Sequence, residues 1–216
     1  MNRPAIYTRP AKPMHIAVKR RDDFDKLATV QIAEPVTVDK FTECHVTPSD
    51  VAARMVRYLG QQGDYLTLEP SAGTGQISRA LLAAGHSKYE LVQVERHIKL
   101  AGALHGFGSV ICRCFLEWSA EVVGKLEFPR IIMNPPFSDV RKHVAAAESL
   151  LGRGGHLEPA ALVALVPIAF QHRSAETLET LPADTFATAR VNTKIIRIES
   201  RNGLFGLNRK KVNSNA

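Results

Sequence analysis

Short apolar segments of strand length alternate with segments whose apolar residues recur at helical spacing, and this alternation constrains the fold more than any other feature. Residues 64–69 (DYLTLE), 89–95, 109–114, 130–134 and 161–167 read as strands. Residues 76–84, 98–104 and 139–151 read as helices, the first stopped by Gly85 and the last by Gly152. Upstream, residues 47–59 predict a helix capped by Thr47 or Ser49, with Val51, Met55, Val56 and Leu59 on its apolar face. Two β-rich pieces, 185–191 and 194–199, close the pattern. Strands alternating with helices predict an α/β fold: a doubly wound, mostly parallel, Rossmann-like sheet with helices on both faces. With 216 residues, 45% of them apolar, the chain suits one such domain. That domain is expected over 41–200, between a basic, Pro-containing arm (1–40) and a basic tail (201–216) carrying Arg201, Arg209, Lys210 and Lys211.

The formal net charge of +7 favours polyanionic partners without bearing on fold. The start of the chain lacks the apolar stretch of a signal peptide. The longest apolar run, 159–170, is too short to cross a bilayer, so no membrane association is expected. Cys44, Cys112 and Cys114 cannot all pair, and they suggest no disulfide framework, which fits a reducing cytoplasm. Cys112 and Cys114 lie two apart on an expected strand, but with only His105 near them no metal site is expected.

Three motifs carry chemistry. The first, LEPSAGTGQI at 68–77, contains Glu69, Pro70, Ala72, Gly73, Thr74 and Gly75 at the junction of the first strand and its helix. Ligands of open α/β sheets bind at the carboxyl ends of strands. Glycine at 73 and 75 lets the backbone turn sharply and approach a ligand closely. A phosphate-binding loop would need Lys followed by Ser or Thr after the last glycine, where this chain has Gln76 and Ile77. A dinucleotide fingerprint would need Gly or Ala where Ser78 stands. The acid at Glu69 suits a cationic ligand, and S-adenosylmethionine, with its ammonium and sulfonium, agrees in sign. The second motif is Glu95 at the end of the next strand, about 20 residues beyond the glycine turn, where acids commonly accept hydrogen bonds from ribose hydroxyls.

The third is IIMNPPF at 131–137. Asn134 precedes a proline and is held extended. Pro135 and Pro136 lack N–H donors, so their carbonyls are left to accept from elsewhere. Phe137 adds a flat apolar ring. Two acceptors beside a stacking surface match a planar ring bearing an exocyclic NH2. If the Asn134 side-chain oxygen and the Pro135 carbonyl accept both amine hydrogens, the nitrogen is drawn toward tetrahedral geometry and its lone pair becomes available to a methyl donor.

In this order the motifs resemble the amino-methyltransferase family typified by DNA N6-adenine methyltransferases, over roughly residues 41–199. The upstream segment 41–55 (FTECHVTPSDVAARM) is similar to that family's Phe and Thr-Pro element, which implies that Phe41, Thr47 and Pro48 close over the cofactor. The resemblance implies a class I S-adenosylmethionine-dependent methyltransferase with cofactor contacts at 41, 47, 48, 69, 70, 72–75, 95, 114 and 115, and a catalytic Asn134, Pro135, Pro136 and Phe137. It departs from the pattern at Cys114, which stands before Phe115 and Leu116 where the family has an acid that contacts the cofactor's adenine amine. The implied reaction is methyl transfer to adenine N6 in DNA. Because no segment is long enough for a separate target-recognition domain, a short or degenerate recognition sequence is expected. N6-adenine methylation of RNA, methylation of a protein glutamine, and a module that binds cofactor or DNA without catalysis remain alternatives.

Overall fold

The computed structural model describes residues 46–186 and 191–200. Phe41, Cys44, the arm and the tail lie outside the described residues. Helix α1 (Ser49–Leu59) leads into β1 (Thr67–Pro70), α2 (Gln76–Ala83), β2 (Leu91–Val94), α3 (Ile98–Leu104) and β3 (Ser109–Ile111). There follow α4 (Phe115–Val122), β4 (Arg130–Met133), α5 (Val140–Ser149), β5 (Ala160–Pro167), β6 (Ala175–Leu181) and β7 (Thr193–Ser200). The seven strands form one sheet in the order β3-β2-β1-β4-β5-β7-β6. β1 to β5 run parallel, while β7 inserts antiparallel between β5 and β6. The strand order reverses between β1 and β4, and the motifs at 68–77 and 131–137 sit at that point.

Period-two alternation divides the apolar residues between the two faces of the sheet. Ile131 and Met133 of β4, with Leu162, Ala164 and Val166 of β5, join Phe115 and Trp118 of α4 and Val144 and Ala147 of α5. Ile132, Val163 and Leu165 point the other way, against Val51, Met55 and Leu59 of α1 and Ile77 and Leu81 of α2. Helix α2 ends in a Schellman arrangement: the Gly85 N–H donates to Leu82 O (3.0 Å) and the His86 N–H to Leu81 O (3.0 Å), with Gly85 at φ +89°.

Three expectations need correcting. Neither Thr47 nor Ser49 caps α1 through its side chain; Pro48 precedes the helix, and its carbonyl accepts the first intrahelical bond from the Ala52 N–H (2.9 Å). The strand expected at 185–191 is not where the sheet finds its sixth member. Thr185 ends a 3-10 turn, Ala183–Thr185, and residues 187–190 lie outside the described residues. The sixth strand is instead AETLETL, whose largely polar surface and β-bulge between Thr177 and Glu179 mark a sheet edge. Helix α4 was not anticipated.

Phe128, 1% exposed, anchors the α4/α5 face beside Trp118, with ring centroids 6.3 Å apart. Phe128→Ala is expected to lower unfolding stability by about 3–5 kcal/mol, measured by urea denaturation. A loss below about 1 kcal/mol would contradict this packing.

Candidate active site

A cavity of about 450 Å³ opens at the carboxyl ends of β1, β2 and β4. Of the residues singled out from sequence, it is lined by Thr47, Glu69, Ala72, Gly73, Thr74, Glu95, Cys114, Phe115, Asn134 and Pro136. Pro48, Pro70, Gly75, Pro135 and Phe137 flank these residues in the chain without lining it.

The glycine turn owes its shape to backbone conformations that other residues rarely adopt. Gly73 and Gly75 have φ of +55° and +77°. A Cβ on Gly75 would also come within 2.7 Å of Leu104 Cδ2. Ser71 shares the left-handed region at φ +56°, a conformation that costs energy in any residue bearing a Cβ and one that clusters at functional sites. Glu95, 6% exposed, ties this turn to the end of β2: Oε2 accepts from the Gly73 N–H and Oε1 from the His97 N–H, both at 2.8 Å. Each carboxylate oxygen retains further accepting capacity for a ligand.

Glu69 lies at the foot of the cavity, 1% exposed. Burial pushes its carboxyl up to about 8, assisted by the nearby Glu95 charge and opposed by the Ser78 hydroxyl. Donor counting points the same way. The Ser78 hydroxyl has one proton yet lies against two acceptors, Glu69 Oε2 and Gln93 Oε1, while Gln93 Nε2 donates to Leu104 O at 3.3 Å. A proton on Glu69 lets the carboxyl donate to Ser78 and Ser78 donate to Gln93, so every group is satisfied. Without a ligand, Glu69 is therefore a neutral acid at pH 7, not the standing anion that its place in the sequence suggests.

On the other wall, Asn134 Nδ2 donates to Thr47 Oγ1 at 3.0 Å, joining residues 87 apart in sequence. This bond orients the amide by holding its nitrogen toward Thr47. Phe137 is half-buried and meets the buried Phe186 edge-on, with ring centroids 6.4 Å apart and planes at 88°.

Neither a family model nor a curated protein matches the sequence. Solved structures do. The chain is similar to 23S rRNA methyltransferase ErmE, with a TM-score of 0.56 and 16% identity over 74% of this chain and 72% of that one. It is similar to the methyltransferase subunit of a type I restriction-modification system from Streptococcus thermophilus (TM-score 0.58, 16% identity, 73% of this chain and 44% of that one). TrmN from Thermus thermophilus gives a TM-score of 0.50 at 16% identity, over 70% of this chain and 48% of that one. This is the class I methyltransferase fold. In the last two comparisons the chain spans about half the length of the protein it matches or less.

Sequence reasoning missed several contributors to the cavity or its walls, among them Ser78, Gln93, Asp139, His143 and Phe186. Ser78 and Gln93 are polar residues at buried positions of an amphipathic helix and a strand, a signal that was visible in the pattern. His143 falls in the helix expected over 139–151, and Phe186 in the strand expected over 185–191. Among the described residues, no group of three or more His, Cys, Asp or Glu could hold a metal ion. No helix of the described residues is long and apolar enough to cross a membrane.

The Glu69 proton has a stability consequence. In the unfolded chain this carboxyl titrates near 4.5, in the native protein near 8, so between those values the native state binds the extra proton. Stability of the ligand-free protein should fall as pH rises from about 4.5 through about 8, by an amount on the order of a few kcal/mol, and then level off. Glu69→Gln should flatten this slope in chemical denaturation at pH 5, 7 and 9. An unchanged slope would show that the proton is not there.

Proposed function

We propose that this chain binds S-adenosylmethionine in the cavity and transfers its methyl group to an exocyclic amine, N6 of adenine in DNA. The observation that carries this reading is convergence. The glycine turn, Glu95 and Asn134 come from three strand ends, yet they line one cavity. Its volume is in the range of small-molecule sites, about 300–1,000 Å³. The donor set fits the group: Gly75 has no side chain to obstruct the turn, Glu95 accepts from hydroxyls, and Glu69 is a buried carboxyl beside the wall where an ammonium would lie.

Bound S-adenosylmethionine supplies an electrophilic methyl on a sulfonium. The chain does the rest. Glu69 gives up its proton to face the ligand's ammonium, so binding releases a proton near neutral pH. Asn134, oriented by Thr47, accepts from the target amine through Oδ1, and the Pro135 carbonyl accepts the second hydrogen. Phe137 offers a face to the base. A base stacked in a duplex cannot reach such a site, so the target is flipped out or single-stranded. The methylated amine loses its proton to solvent, and no buried general base is required.

Two of the similar structures, an rRNA methyltransferase and a restriction-modification methyltransferase subunit, support a nucleic-acid substrate, and the +7 charge agrees. RNA is the second reading, since nothing at Asn134 to Phe137 reads a sugar. We expect short or degenerate sequence specificity.

S-adenosylhomocysteine should raise the melting temperature, and NAD should not. Asn134→Ala should reduce methyl transfer to DNA at least a hundredfold while leaving that thermal shift nearly intact, because the residue acts on the amine as it reacts. Radiolabel transfer to DNA, RNA and a glutamine peptide measures both rate and substrate. Substantial turnover by Asn134→Ala would refute the assigned role.

A further inference from the structure

Helix α5 and the residue just before it present to the same cavity a pair of groups that the reading above leaves unused. Asp139 and His143 both line it, one helical turn apart. His143 is 8% exposed, and its ring lies 5.7 Å from that of Phe115 with planes tilted by 33°, at the end of the cavity formed by the residues after β3. Burial holds its imidazole below the ordinary histidine range, with Arg96 and Lys142 acting in the same direction and Asp139 against. The ring is therefore neutral. Nδ1 is sealed from solvent without a hydrogen-bond partner among the described residues. A buried N–H without an acceptor is rarer than a bare lone pair, so the proton belongs on Nε2 and the ring has a donor to offer the cavity. Asp139 is an anion, its carboxyl held below the usual range by Lys142, whose Nζ lies 2.8 Å from Oδ1. One carboxylate oxygen stays available beside the donor. Cys114, next to Phe115 in the chain, offers only a thiol, a weak partner for either role.

We propose that Asp139 and His143 together read the edge of the cofactor's purine, Asp139 accepting from the exocyclic amine and the His143 Nε2–H donating to the adjacent ring nitrogen. This rests on the cofactor reading above and adds a specificity to it. An acceptor beside a donor is complementary to adenine, whose amine donates and whose N1 accepts. Hypoxanthine reverses both, presenting a carbonyl oxygen and an N1–H, so it would set acceptor against acceptor and donor against donor.

The test is isothermal titration of the full chain with S-adenosylhomocysteine and with S-inosylhomocysteine, which differ only along this edge. Wild type should bind the adenosyl compound at least tenfold more tightly. Asp139→Asn, a nearly isosteric change at a largely accessible side chain, should weaken adenosyl binding three- to tenfold and shrink the preference, because an amide donates to the inosyl carbonyl. His143→Phe should weaken adenosyl binding by a similar factor, and His143→Gln, which keeps a donor, should recover part of it. Each variant's ratio for the two ligands is its own control against altered folding. Wild type binding both compounds equally would overturn the proposal while leaving the cofactor reading intact. So would a full preference persisting in Asp139→Asn and His143→Phe, including the case in which those variants lose only turnover on DNA because the pair touches the target base. Wild type binding neither compound would overturn the cofactor reading and this inference together.

Discussion

The two hydrogen bonds that Glu95 accepts hold the cavity in shape. β1 and β2 are parallel neighbours, and each releases the chain at the same edge of the sheet. The turn after β1 must then fold back through left-handed conformations at Ser71, Gly73 and Gly75, leaving amide N–H groups without helical partners. Glu95 accepts from one such N–H at Gly73 and another at His97, so a single carboxylate braces the starts of both crossovers. Its own backbone N–H is tied to Ile111 O at 3.0 Å, at the end of β3. Three strand ends are thereby locked to one residue. A ligand meeting this wall finds it preorganised, so little conformational entropy is lost on binding.

The opposite wall is built differently. Asn134 and the two prolines leave β4 in extended geometry, and the Asn134 amide donates to Thr47, which belongs to the segment before α1. The face that would hold a reacting amine thus depends on a contact between residues far apart in sequence, formed only when α1 is docked on the sheet through Val51, Met55 and Leu59. Docking of the lead-in helix and orientation of the Asn134 amide are thereby coupled. This also explains why Thr47 does not cap its own helix: its hydroxyl is engaged across the cavity.

How much of this was legible in the sequence depended on the kind of signal. Buried parallel strands such as AALVALVP are continuous apolar runs and were placed almost to the residue, because burial on both faces leaves no room for polar alternation. The glycine turn and the Asn-Pro-Pro-Phe turn were legible because their backbone demands admit few residue types. β6 was not, since an exposed edge strand paired on one side with β7 carries no apolar period, and AETLETL has as much helical as strand character. Helix α4 was hidden for a related reason: Phe115 was expected as a ligand contact, and the helix it begins is only eight residues long. The partnership of Thr47 with Asn134, and the protonated state of Glu69, are tertiary facts. No local pattern encodes which hydroxyl faces an amide 87 residues away, or how completely a carboxyl will be dried.

Charge placement follows the same division between walls. The cavity's most buried acid is neutralised by desolvation, while Asp139, paired with Lys142, is held below the usual carboxylate range and Glu95 accepts from two backbone amides. The cavity is therefore less negative than the number of its carboxyl groups suggests. The reserve of negative charge at Glu69 appears only when a cation replaces the missing solvation, because expelling a proton from a buried carboxyl is worthwhile only against a compensating charge at close range. A neutral ligand of the same shape would leave that proton in place. On the proposed reading, selectivity for a cationic ligand at Glu69 and for a donor–acceptor edge at Asp139 and His143 would arise from two separate features: one a protonation equilibrium set by burial, the other the spacing of two side chains four residues apart.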